Sequence, residues 1–148
     1  MATVELSFTA LPAHVRTARL VATAVARRSG VDESLLDEVR LAVGEACSRA
    51  VEGHQLYCPA EPVRLSLTDL AGRFEVEVTD ACAPAARLPA GQGAVGAVAG
   101  GHGAGNNGGL PASIGFAVIE GLADDVQISE TAAGTSIRMS WPSSGASR

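Results

Sequence analysis

Residues 63–80, VRLSLTDLAGRFEVEVTD, constrain the fold of this chain more than any other stretch. Val63, Leu65 and Leu67 alternate with polar residues, and so do Phe74, Val76 and Val78. A period of two places each trio on one face of a strand. The short LAG link between the two runs suits a hairpin. An antiparallel pair that is apolar on one face only must lay that face against a second layer.

The N-terminal third supplies that layer. Pro12 opens a helix predicted to run to about Arg28, with Gly30 as its stop and Val15, Ala18, Ala22 and Val25 as its apolar stripe. Asp32 is a side-chain cap for a second helix over 33–52, whose apolar face is Leu35, Val39, Ala42, Val43, Ala46 and Ala50. TVELSFT (3–9) alternates as a half-buried strand, with Val4, Leu6 and Phe8 on one side. Residues 114–126 read as a short helix passing into a strand, and Ala132–Gly134 turns the chain into a last strand over 135–141. Hairpins dominate this order. The expected fold is a two-layer α/β sandwich, a mixed and mostly antiparallel sheet with helices on one face. Residues 1–141 form one domain and 142–148 a disordered tail.

Composition removes several function classes. A net charge of −5 argues against nucleic-acid and anionic-membrane partners, which require basic patches. All eleven basic residues are Arg, which excludes a Walker P-loop, a Schiff base and a lysine base. No apolar run reaches the length of a membrane span, and the N-terminus lacks the charged start and apolar run of a signal peptide, so a cytoplasmic location is expected. Cys47, Cys58 and Cys82 are odd in number and form no CxxC, which predicts three free thiols rather than a disulfide or a zinc site. His14, His54 and His102 lack metal-ligand spacing and read as surface or loop residues; Asp124 and Asp125 read as a solvated link. The stretch 88–113 is a long loop; from Pro89 to Ser113 nine of 25 residues are Gly. Within it GQGAVG (91–96) matches GxGxxG, but it follows a loop rather than a strand, so a flexible loop is the better reading.

Chemistry concentrates on the second helix. At 100° per residue Glu38, Glu45, Arg49 and Glu52 share one flank. By spacing alone these are ordinary helix ion pairs, each stabilising by about 0.2–0.5 kcal/mol. However, LDEVRLAVGEACSRAVEGH (36–54) resembles the second-helix motif of the anti-sigma-factor serine kinases, within the histidine-kinase-like (GHKL, Bergerat-fold) ATPases. LPAHVRTARLVATAVARRSGV (11–31) is similar to their first helix, FEVEVTD (74–80) to the strand ending in their adenine-contacting Asp, and residues 115–141 to their closing helix and hairpin.

The resemblance implies roles residue by residue. Glu45 stands at the general-base position. Asp80, Gly115, Gly134 and Thr135 stand where the family holds the nucleotide. Three positions depart from the pattern. Arg49 replaces the Asn that holds Mg²⁺, and a guanidinium has donors but no lone pair for a metal. It can instead form an ion pair with Glu45 or contact phosphate oxygens. Cys82 replaces the Gly of Asp-x-Gly, where a side chain would crowd the nucleotide. Ser113 replaces the first Gly of the phosphate-cradling Gly-x-Gly turn.

The expected function is therefore an anti-sigma-like regulator that binds a sigma factor, a STAS-type anti-sigma antagonist, or both, without kinase activity. No metal and no cofactor are expected. The alternatives are nucleotide binding without transfer, and an active ATP- and Mg²⁺-dependent serine kinase acting on a STAS-type antagonist through Glu45. A homodimer through the sheet face is implied by the resemblance alone.

Overall fold

A computed structural model describes residues 2–82, 112–132 and 134–144, with the backbone path alone over 112–116. The elements are β1 (Ala2–Phe8), α1 (Pro12–Ser29), a 3-10 turn (Glu33–Leu35), α2 (Leu36–Tyr57), β2 (Val63–Leu70), β3 (Arg73–Thr79), α3 (Ala112–Leu122), β4 (Asp125–Thr131) and β5 (Gly134–Pro142). The loop predicted over 88–113 lies outside the described residues, apart from its last two, which begin α3.

The strands form one five-stranded sheet in the order β1-β2-β3-β5-β4. Every neighbouring pair is antiparallel, so the parallel component that a mixed sheet would contain is absent among the described residues. The register explains why the alternation was informative. Leu65 faces Leu6 on one side and Val78 on the other, and Val76 faces Leu67 and Met139. Each apolar trio is thus continued across the sheet by cross-strand partners on the same face. The opposite face is polar: Arg138 reaches Glu75 at 3.2 Å and Glu77 at 3.7 Å, and Ser136 donates to Glu77.

α2 is the central helix, packed between α1 and α3 and over β2 and β3. Ala18, Ala22 and Ala26 of α1 and Ala42, Ala46 and Ala50 of α2 are buried. Such small side chains let two helix backbones approach closely. α1 ends as its sequence demands. Gly30 adopts φ +93°, and the Val31 N–H closes on the Ala26 carbonyl at 3.0 Å. Asp32 accepts from the Ser34 N–H at 3.0 Å, capping the 3-10 turn that leads into α2.

Three local expectations change. α2 continues past residue 52 to Tyr57, because Gly53 is tolerated and His54 is anchored by tertiary bonds. The third helix stops at Leu122, where its carbonyl accepts the Trp141 indole N–H at 3.0 Å, and β4 already begins at Asp125. Asp124 and Asp125 are exposed, as expected of a solvated link, and Arg73 reaches the Asp124 carboxylate at 2.9 Å in a surface ion pair. The tail is tethered at its start: Ser143 N–H donates to the Gly72 carbonyl and Ser144 N–H to the Gly30 carbonyl, both at 3.0 Å. Among the described residues no helix is long and apolar enough to cross a membrane.

Candidate functional site

The side chains expected to be functional fall into two groups, one on α2 and one where the end of β3 meets the start of β5. The first lies on the helix itself. Glu38, Glu45, Arg49 and Glu52 are all half-buried, as a flank beside the apolar stripe should be. Burial pushes the Glu45 carboxyl above its usual value; the Arg49 charge pulls it partly back and Glu52 pushes it up again. Arg49 thus acts on Glu45 as a compensating cation, and its Nε is buried. Arg49, which the sequence resemblance aligns with the metal-holding Asn, offers donors and no lone pair, so it does not itself fit a magnesium ion.

The second group joins the end of β3 to the start of β5. Asp80 is almost wholly buried. Its N–H donates to the Thr135 carbonyl at 2.9 Å, and its Oδ1 accepts the Thr135 N–H at 3.2 Å and the Cys82 N–H at 3.1 Å. Gly134 makes this approach possible. Its φ is +150°, and a Cβ there would lie 2.0 Å from the Asp80 carbonyl oxygen. Asp80 and Thr135, far apart in sequence, are therefore joined by two hydrogen bonds, and Gly134 leaves room for the approach. Gly115 and Ser113 fall inside the helical span of α3, not in a turn before it.

A third group was not anticipated. Cys58 and Cys82 are joined in a disulfide with Cα atoms 5.8 Å apart, so Cys47 is the one free thiol among the described residues. That corrects the expectation of three free thiols. An odd count and the lack of a CxxC carry no information about a pair separated by 24 residues. Cys82 is consequently not a loose side chain crowding a nucleotide, because its sulfur is drawn to the end of α2. Cys47 is inert by contrast, its thiol pushed up to about 12 by burial.

His54 is likewise no surface residue. It is fully buried, and its Nε2 accepts the Ala81 N–H at 3.0 Å. That bond fixes the tautomer: Nδ1 carries the proton and donates to the Glu61 carbonyl at 2.8 Å. Ligand atoms of His54, Cys58 and Cys82 lie within 4.8 Å of one another. The signal available in the sequence was the i, i+4 spacing of His54 and Cys58 across the end of α2. His14 sits in α1, its Nδ1 2.9 Å from the Thr9 carbonyl.

Comparison with known proteins agrees with this fold. In fold the chain is similar to the crystal structure of the RsbU and RsbW domains of Rv1364c from Mycobacterium tuberculosis. The TM-score is 0.66 at 18% identity, with all of this chain covered. The chain spans about a third (34%) of the length of that solved chain. No curated relative matches it significantly. The family model described as a histidine kinase-like ATPase domain matches residues 8–141. With nearly the whole chain matched, the protein belongs to the histidine kinase-like ATPase domain family.

Proposed function

We propose that this chain is an anti-sigma-like regulatory module that binds a sigma factor, a STAS-type anti-sigma antagonist, or both, and does not transfer phosphate. The observation that carries the reading is Arg49, half-buried on the central helix and electrostatically coupled to Glu45. Phosphoryl transfer in this fold depends on a dication that neutralises the phosphate oxygens. A fixed guanidinium at that place occupies the charge and offers no lone pair. The fold similarity to a structure containing an RsbW domain supports the regulatory setting. The module acts in the cytoplasm, where sigma factors and their antagonists reside.

Incubation with labelled ATP, Mg²⁺ and a STAS-type antagonist tests the reading. No label should reach the antagonist, while pulldown should recover the antagonist or a sigma factor. Efficient label transfer would establish instead the active serine kinase, with Glu45 as its base.

A second reading is favoured by Asp80 and Thr135, whose hydrogen bonds, with Gly134 allowing the close approach, bring together residues that the resemblance assigns to nucleotide binding. In this reading ATP or ADP binds without transfer, and Arg49 contacts phosphate oxygens directly. Calorimetric titration with ATP and ADP, with and without Mg²⁺, should then give binding that is indifferent to the metal. No heat in any of the four titrations would exclude it.

A further inference from the structure

The disulfide lies next to the bonds that hold Asp80. Cys58 is the residue at which α2 stops, and its N–H closes the last helical turn on the His54 carbonyl at 2.8 Å. Cys82 is two residues beyond Asp80, and its N–H is one of the donors on the Asp80 carboxylate. Between them Ala81 donates to His54. A continuous path therefore runs from the end of α2, through the sulfur–sulfur bond, to the Cys82 amide, the Asp80 carboxylate and the Thr135 amide. The residues after Asp80 are held by two attachments to α2, the disulfide and His54.

We propose that Cys58 and Cys82 are a reversible dithiol–disulfide couple that clamps Asp80, and that its redox state sets the geometry of the nucleotide end of the pocket. The nucleotide consequence rests on the second reading above; the clamp does not. Three observations support reversibility. Cys58 is half-buried at a helix end while Cys82 is buried, so Cys58 is the side from which a small disulfide would exchange, and exposed bridges are the labile ones. Cys47 is buried and has its thiol pushed to about 12, so it does not compete for the pair. Neither cysteine belongs to the main apolar cluster, so breaking the pair loosens the segment after Asp80 without disrupting that cluster.

The chemistry balances with a low-molecular-weight disulfide as oxidant. The Cys58 thiolate attacks one sulfur of oxidised glutathione, giving a mixed disulfide and one glutathione. The Cys82 thiolate then attacks Cys58 Sγ and expels the second glutathione. Two protein thiols are oxidised and one glutathione disulfide is reduced to two thiols.

The full-length protein would be equilibrated in glutathione buffers of graded poise, quenched by alkylation and mapped by mass spectrometry. Hydrogen exchange over 76–82 and binding of a fluorescent ATP analogue would be read in the same samples. A Cys58–Cys82 link that forms and reverses with poise is expected, and exchange at Ala81 and Cys82 should quicken about tenfold on reduction. Cys58→Ser should match the reduced wild type at every poise. Should the variant not fold, reduced against oxidised wild type makes the same comparison. The proposal is overturned if no link forms, if no glutathione buffer reverses it, or if exchange at Ala81 and Cys82 ignores the poise. It is equally overturned if the reduced protein retains one zinc ion on His54, Cys58 and Cys82, because the cluster is then a metal centre. Exchange that follows the poise with no analogue bound in either state upholds the clamp and removes the nucleotide reading.

Discussion

Glu45 and Arg49 decide what the central helix can do, and each makes a prediction. Glu45 carries its charge in a half-buried place, so its folded carboxyl titrates above the ordinary 4.5. Desolvation penalises the charged form more than Arg49 repays it. The sign follows directly. A carboxyl with a raised folded value contributes stability that is complete below 4.5 and lost as pH rises through the folded value. Glu45→Gln should therefore be more stable than the wild type at neutral pH, by no more than about 1 kcal/mol given solvent screening. The two urea midpoints should converge below pH 4.5; a constant difference across pH would show that charge is not the cause. Arg49→Asn removes the compensating cation and presents a carbonyl oxygen where the wild type has only donors. Mg²⁺ should then increase ATP affinity in calorimetry, an effect absent from the wild type. If Mg²⁺ leaves the variant's affinity unchanged, the metal position has been misassigned.

At the scale of elements, two glycines separate a tight fit from an essential one. A Cβ on Gly44 would meet Arg19 Cδ at 2.6 Å, but that atom belongs to a flexible side chain. Gly44→Ala should change stability by less than about 1 kcal/mol, because the gain in helix propensity offsets moving Arg19. A Cβ on Gly134 would meet Asp80 backbone, at a φ few side chains adopt. Gly134→Ala should cost about 3 kcal/mol or more in urea unfolding, through strain and a clash that nothing flexible relieves. The same contrast explains what the sequence revealed. β2 and β3 were legible because alternation encodes a face, and α1 because proline and glycine mark both ends. The last turn of α2 was not legible, since His54 is held by Ala81 and Glu61 from other segments. Asp80, Gly134 and Thr135 were singled out by a motif resemblance alone. The hydrogen bonds between Asp80 and Thr135 continue the β3–β5 register, which no local pattern encodes.

For the molecule as a whole, the disulfide and the core divide the work of stability. The core is continuous: Phe74 and Trp141 are fully buried, their ring centroids 6.4 Å apart, and Ile119 of α3 joins the same cluster. Trp141 is the single tryptophan, and its indole bond to Leu122 ties β5 to α3. Its fluorescence therefore reports the contact between the two layers. If sheet and helices share one core, fluorescence and far-ultraviolet circular dichroism should trace one coincident urea transition. The bridge closes a sequence separation of 24 residues, whose loss from the unfolded-state constraint corresponds to about 3 kcal/mol. A domain of this size is typically stable by about 5–15 kcal/mol, so the reduced protein should remain folded. Reduction should shift the midpoint downward by about 3 kcal/mol in equivalent stability while the two probes stay coincident. Separation of the probes on reduction would mean that the bridge couples the layers, and that the core alone does not make the fold cooperative.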